Sequence, residues 1–260
     1  MIKFNIKRSL VFLTMSVAAF SANADMLDSV KQSKKLRVAI ELALPPYGMT
    51  NDKMEPLGSD VDTARLLAKD LGVELEIVPV TGPTRIPFLQ TKKADLAIAT
   101  LSISPERAKV IDFSTPYSVV QIVVAAPKSI NIKGYPDLAG KSIAITRGNV
   151  QEAELMKMAV GAQIVRFDDD ATLVTAAVSG QTPIVSTATT LLKAIQTKSP
   201  DRQMETKFVL RTFELGIGIP KGEERMLAWI NEWVKTNRSN GKLGAIFKEF
   251  HGADLPPLSK

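Results

Sequence analysis

Between Leu36 and Thr187 the chain writes one alternation of strand and helix patterns, then writes it a second time. "LRVAIEL" (Leu36 to Leu42) has the length and apolar content of a strand, and Ala64, Leu67, Ala68 and Leu71 then fall at the spacing of one helical face. "VELEIVPV" (Val73 to Val80) alternates apolar Val73, Leu75 and Ile77 with glutamates, which predicts a strand with one exposed face. A helix around "RIPFLQTKK" leads to the strand "ADLAIAT" (Ala94 to Thr100). After Tyr117 the order restarts with "SVVQIVVAAP" (Ser118 to Pro127) and "GKSIAIT" (Gly140 to Thr146). The helix "NVQEAELMKMAV", the strand "AQIVRF", the helix "ATLVTAAVSG" and the strand "TPIVST" (Thr182 to Thr187) follow. The class is therefore α/β, with each lobe a βαβαβ unit and parallel sheets covered on both faces. Right-handed crossovers bring the strand C-termini to one edge of each sheet, where ligands of such folds bind.

The remaining segments fit around these units. "FVLRTFELGIGIPKG" holds two strand-like runs, and helices are predicted from Glu223 to Asn240 and from Gly241 to Phe250. Met226, Trp229, Ile230 and Trp233 share one helical face, so both tryptophans are expected in the core. No low-complexity linker separates the two units, which predicts lobes joined by short strands.

The first 24 residues read as an export signal. Lys3, Lys7 and Arg8 precede the apolar "LVFLTMSVAAF" (Leu10 to Phe20), and "ANA" (Ala22 to Ala24) supplies small residues for cleavage after Ala24. The run is too short to span a bilayer. Removing it lowers the formal charge from +6 to +3, and the basic residues lie scattered among acids, so no nucleic-acid partner is expected. The chain has no cysteine, which excludes disulfides, thiolate metal sites, cysteine nucleophiles and a lipid-modified cysteine at the cleavage point. The expected product is a soluble periplasmic monomer.

The densest polar chemistry lies in "ATLSISPERAKVIDFSTPY" (Ala99 to Tyr117). Ser104 is a good N-cap and Pro105 suits the first helical position, which puts Arg107 in the first turn of a helix that starts at a strand end. Backbone N–H groups, the Thr100 and Ser102 hydroxyls and a forked guanidinium then converge on one small volume that suits a carboxylate. Arg107 as a surface arginine paired with Glu106 or Asp112 is the plainer alternative.

Four motifs, "GSDVDTARLLAKDLG", "RIPFLQTKKADLAIATLSISPERAKVIDFSTPY", "LAGKSIAITRGNVQE" and "NGKLGAIFKEFHG", resemble in order and spacing the periplasmic solute-binding proteins of polar amino-acid ABC transporters. The resemblance covers nearly the whole chain after residue 24. It implies a type II periplasmic binding protein fold, with lobe 1 formed by 25–119 and 216–260, lobe 2 by 120–215, and two crossover strands between them. It also implies an amino acid or related carboxylate trapped between the lobes, delivery to a membrane permease, and no cofactor. By the same resemblance Arg107 holds the ligand's α-carboxylate with Thr100 and Ser102 assisting. Glu41 faces its amine or side chain, Tyr47 closes "LPPY" at the rim, and the turn of Asn149, Val150 and Gln151 offers backbone N–H groups. Each has a plainer alternative: a solvated acid, a packing aromatic and an ordinary N-cap.

One position departs from the pattern. Relatives end the strand after "GxxDA" with an aspartate for the α-ammonium, whereas this chain has Ala188 there, flanked by Thr187 and Thr189. A hydroxyl such as that of Thr187 does not replace a carboxylate as partner of a desolvated ammonium, a loss worth several kcal/mol unless another group compensates. Either Glu41 takes the ammonium or the ligand has no free α-amine. "FDDD" (Phe167 to Asp170) offers more carboxylates, but they precede a helix and read as its caps. The competing class is a hydro-lyase resembling cyclohexadienyl dehydratases, for which Glu41 is the one cleft acid to nominate. His251, the single histidine, lies in "EFHG", away from the expected cleft, so histidine triads and paired-histidine metal sites are not expected.

Overall fold

A computed structural model describes residues 25–259; the expected export segment 1–24, with its cleavage point, lies outside the described residues. The chain opens with α1 (Met26–Ser33), whose N-cap Asp25 accepts the Leu27 N–H at 2.8 Å. It continues through β1 (Lys35–Glu41), a small hairpin of β2 (Met49–Thr50) and β3 (Pro56–Leu57), α2 (Ser59–Leu71), β4 (Glu74–Val80), α3 (Arg85–Gln90) and β5 (Leu96–Ala97). A four-residue α4 (Pro105–Ala108) and β6 (Ile111–Phe113) complete this part, and β7 (Ser118–Pro127) leads away from it.

The second unit comprises β8 (Ser142–Thr146), α5 (Gln151–Met158), β9 (Gln163–Phe167), α6 (Asp170–Ser179), β10 (Val185–Ala188) and α7 (Thr189–Lys198). The long β11 (Met204–Leu215) returns to the first unit, which β12 (Gly218–Pro220), α8 (Glu224–Ser239) and α9 (Lys242–His251) finish. Two five-stranded sheets result, in the orders β4-β1-β5-β12-β6 and β11-β7-β10-β8-β9.

Neither sheet is wholly parallel, contrary to the expectation from the alternating pattern. The βαβ cores are parallel, β4-β1-β5 in one sheet and β10-β8-β9 in the other. The added strands β12 and β7 run antiparallel to them. The reason is connectivity: a strand that enters its sheet across the hinge, without a helical crossover, arrives in the opposite direction. The expected strand "ADLAIAT" also pairs only at Leu96 and Ala97, since beyond Ile98 the backbone turns and Thr100 takes a φ of +50°.

Alternation along β1 sorts its side chains onto two faces. Leu36, Val38 and Ile40 join a large core with Val61 and Leu67 of α2 and Met226, Ile230 and Trp233 of α8. On the opposite face Ala39 packs with Leu89, Ala97 and Ala99 beneath α3. Each fully withdrawn Leu or Ile contributes roughly 1.5–3 kcal/mol. Trp233 is buried and donates its Nε1–H to Asp70 at 2.8 Å, while Trp229 packs half-buried against the same core.

The units meet through β7 and β11, which pair along their length, Leu215 beside Ser118. At the junction the Ser114 N–H donates to the Ile217 carbonyl at 3.0 Å, Tyr117 N–H to Leu215 at 2.9 Å and Gly216 N–H to Leu101 at 3.1 Å. Two crossover strands thus connect the lobes, and the C-terminal ends of β1, β5, β8 and β10 belong to the facing edges.

Candidate functional site

The first lobe's edge is organised by a buried carboxylate that the sequence reading passed over. Asp60, in the first turn of α2, accepts the Thr100 N–H at 2.7 Å, the Thr100 hydroxyl at 3.0 Å and the Tyr117 hydroxyl at 2.7 Å. These bonds hold Thr100 in its left-handed conformation, which a β-branched residue seldom adopts. Burial nevertheless pushes the Asp60 carboxyl up to about 6, against the pull of those donors. Thr100 lines the cavity, but its hydroxyl proton is committed to Asp60. Towards a ligand it can only accept, which suits an amine better than a carboxylate.

Glu41 ends β1 and is buried. Neither carboxylate oxygen has a partner at ordinary hydrogen-bond distance among the described residues, though the Gly82 N–H lies close enough to favour the ionised form. Its nearest cation is Arg85, whose Nη1 lies 3.6 Å from Oε2. Burial raises the Glu41 carboxyl to about 7, with Arg85 pulling the other way and Asp170 adding to the rise.

Arg85 is the second residue the sequence reading did not nominate. It begins α3 and is 2% exposed, and its Nε donates to the Gly82 carbonyl at 3.1 Å. Nη1 donates to the Ala99 and Thr100 carbonyls at 3.0 and 3.2 Å, and Nη2 crosses the cleft to the Asn149 side-chain oxygen. The reasoning that found Arg107, an arginine opening a helix just past a strand's C-terminal end, applies equally to "TGPTRIP" and could have found it.

Arg107 lies in α4 with Ser104 as N-cap and Pro105 at the first position. Its Nη1 donates to the Ser102 carbonyl at 2.8 Å and its Nη2 to the Gly148 carbonyl of the other lobe at 2.9 Å. Among the described residues it has no ion-pair partner; desolvation and the nearby Arg85 charge lower its pKa to about 9, so it stays protonated at neutral pH while lacking an anion.

The second lobe supplies the turn 147–150 after β8. Gly148 has φ +74°, and a Cβ there would come within 3.1 Å of the Pro83 Cα, so only glycine fits where the two turns meet. Val150, not Asn149, is the cap residue of α5. Asn149 instead faces Arg85, and Gln151 is buried with its Nε2 on the Ser186 carbonyl at 3.2 Å. Asp169 caps α6 as expected, but its neighbour Asp170 does not cap: it is buried and accepts from the Thr146 hydroxyl, its pKa raised by burial.

Arg85, Thr100, Ser102, Arg107, Asn149 and Gln151 form the polar wall of one small cavity, and Leu44, Val120, Ile122, Val150 and Ala188 form its apolar wall. Its volume is about 20 Å³, on the order of one water molecule. The lobes are therefore shut in this arrangement, and anything of amino-acid size enters only when they part. A hollow of about 680 Å³ along α8, past Ala228 and Asn231, is larger but lies away from both strand edges and the buried charges.

Two sequence expectations are corrected here. Tyr47 is not at the rim: it is 3% exposed, donates its hydroxyl to the Val119 carbonyl at 2.7 Å and packs edge-on against His251. Its ring braces α9 against the start of β7. Thr187 does not line the cavity; it pairs with Val123 in β10, and the pleat turns its neighbour Ala188 to the cavity instead. His251 lies outside the cavity, as expected, stacked on Phe247 with its Nε2 3.1 Å from the Ser59 hydroxyl. No cluster of metal-ligating residues occurs among the described residues.

Residues 36–253 match the model of bacterial extracellular solute-binding proteins, family 3. The chain is 30% identical over 243 residues to the L-cystine-binding protein TcyJ of Escherichia coli, covering 93% of this chain and 91% of that protein. Among solved structures it is similar to a mutant of ArgBP from T. maritima, with a TM-score of 0.80, 30% identity and coverage of 88% of this chain and 100% of that one. It is also similar to the ancestral amino acid-binding protein AncCDT-1, a precursor of cyclohexadienyl dehydratase, with a TM-score of 0.77, 28% identity and coverage of 86% and 98%.

Proposed function

The chain belongs to family 3 of the bacterial extracellular solute-binding proteins, and from that membership we propose that it captures an amino acid between its lobes, 25–119 with 216–260 and 120–215, and hands it to a membrane permease of an ABC importer. The carrying observation is a pair of buried groups left short of partners: Arg107, a guanidinium on the cavity wall without an ion-pair partner among the described residues, and Glu41, a carboxylate behind the wall residue Arg85 whose oxygens no side chain hydrogen-bonds. Burying a cation without an anion, or a carboxylate without hydrogen bonds, is unfavourable, and a zwitterion supplies what both lack.

In this reading the ligand's α-carboxylate meets the remaining N–H groups of Arg107 and the N-terminal end of α5 at Val150 and Gln151. Its ammonium meets Glu41 and the acceptor side of the Thr100 hydroxyl, which compensates for Ala188. The aliphatic wall of Leu44, Val120 and Ile122 receives the side chain. The protein acts in the periplasm as a monomer, without cofactor or nucleic acid. Binding is preferred over dehydration because Glu41 is consumed as the ammonium's counter-ion, while Asp60 and Asp170 are held by Thr100, Tyr117 and Thr146. Cystine binding by TcyJ and arginine binding implied by the name ArgBP mark out the class, an amino acid, and leave the side chain to the pocket.

A thermal-shift screen of the twenty L-amino acids and L-cystine against simple carboxylates tests this directly. At least one amino acid should raise the melting temperature in a concentration-dependent way. A response only to carboxylates lacking an amine would overturn the assignment of Glu41 and of the ligand class.

A further inference from the structure

We propose that Arg85 is a positioning residue for the ligand's amine: its guanidinium favours the ionised form of Glu41 by charge while spending four of its five N–H groups on other partners, so that Glu41 keeps lone pairs for an ammonium that carries N–H donors. The inference rests on the amino-acid reading of the same site and adds both a residue and a rule of selection to it.

The geometry differs from an ordinary arginine–carboxylate pair, in which two parallel N–H···O bonds of about 2.7–2.9 Å saturate the acid. Here the closest approach is 3.6 Å and no hydrogen bond forms. The donors go to the Gly82, Ala99 and Thr100 carbonyls and to Asn149. Those three carbonyls belong to the two turns that flank the Glu41 strand, so the same contacts that occupy four of the guanidinium's five N–H groups also fix its charge beside the acid.

The groups facing Glu41 make that charge necessary. Asp60 from α2 and Asp170 from α6 both oppose its ionisation, and burial opposes it most. Arg85 from α3 is the cation that favours it, and Arg107 from α4 gains from the Glu41 charge in return. Burial raises the Glu41 carboxyl to about 7 with Arg85 present. Without that cation the acid would stay neutral at physiological pH and offer an ammonium little. A carboxylate with free lone pairs also discriminates among amines: a primary ammonium donates to it, whereas a quaternary ammonium has no proton to give and leaves the buried acceptors unsatisfied.

The test begins with ligand-free protein. Carbon-13 labelling of glutamate carboxyls, with Glu41→Gln to assign the signal, lets the Glu41 ionisation be followed by NMR. In the native chain Glu41 should be ionised at pH 8; Arg85→Gln should raise its proton affinity at least tenfold and Arg85→Lys much less. The second arm uses whichever amino acid gives the largest thermal shift in the panel above, together with its N-trimethyl and des-amino analogues. Arg85→Gln should weaken binding at least tenfold at pH 7 and recover as pH rises, Glu41→Gln should show no recovery, and both analogues should bind at least tenfold more weakly than the parent. A Glu41 still protonated at pH 9 in the native chain, which requires no variant to fold, would overturn the proposal, as would an unchanged Glu41 midpoint in Arg85→Gln. If no amino acid binds while Glu41 titrates as described, the ligand reading fails and the electrostatic role of Arg85 stands.

Discussion

Arg107 donates to Ser102 in its own lobe at 2.8 Å and to Gly148 in the other at 2.9 Å, so its guanidinium, like that of Arg85, bridges the cleft. Both bonds end on neutral carbonyls, which leaves the cation's charge uncompensated and available to a carboxylate.

Replacing that side chain should therefore affect both ligand affinity and closure. Arg107→Ala is expected to weaken binding of the cognate amino acid by roughly 2 to 5 kcal/mol, the range for breaking a buried charge pair. Arg107→Lys should recover only part, because an ammonium cannot bridge Ser102 and Gly148 as a planar fork can. Titration calorimetry decides; unchanged affinity in Arg107→Ala would return Arg107 to a structural role at the seam.

Thr100 should matter for stability through Asp60. Thr100→Val removes the hydroxyl donor to a buried carboxylate and is expected to destabilise the protein by about 1–3 kcal/mol, whereas Thr100→Ser should be milder. Urea denaturation of the ligand-free variants measures the difference. Equal stability of Thr100→Val and the native chain would show that the Asp60 site does not depend on that hydroxyl.

Ala188 offers a rescue experiment. It lines the cavity at the position where the resemblance to amino-acid-binding proteins implies an aspartate. Glu41→Gln alone should lose at least tenfold in affinity for a zwitterion, and adding Ala188→Asp should restore a counter-ion and regain much of that loss. No recovery in the double variant would mean that the amine does not approach the end of β10.

The pH dependence of stability follows from the raised carboxyls, with Asp170 adding in the same direction as Glu41 and Asp60. Glu41, ordinarily near 4.5, is raised to about 7, and Asp60, ordinarily near 3.8, to about 6. Between pH 4 and 7 the folded chain holds protons that the unfolded chain has released, so stability contributed by these groups is full below pH 4 and is lost as pH rises through 6 and 7. The ligand-free protein should accordingly show a higher urea midpoint at pH 5 than at pH 8. Glu41→Gln should flatten the upper part of that slope and raise stability at pH 8; a midpoint that climbs from pH 5 to pH 8 would contradict the assignment.

The two units, their order, the helix opened by Ser104 and Pro105, and the placement of Thr100, Ser102, Arg107 and the 149–151 turn at one cavity were legible in the sequence. Periodicity records which face of each element is buried, and strand polarity records which edge carries the turns. Asp60 and Asp170 were not legible in the same way, and Arg85 was legible as an arginine opening a helix past a strand end but not as a buried one. Each is a charged residue at the start of a helix, where a solvated side chain or a cap is the ordinary outcome. Only the approach of α2, α3 and α6 towards the ends of β1, β5 and β8 withdraws these side chains from water and turns them on one another. The fate of Tyr47 and Thr187 was decided likewise: β7 placed a carbonyl within reach of the tyrosine hydroxyl, and the pleat of β10 gave the cavity to Ala188. Local sequence determines the elements because each element's hydrogen bonds and apolar face are set by residues close along the chain. The electrostatics of the cleft were decided by residues far apart in sequence, since a charge's partners and dielectric exist only after the lobes have packed.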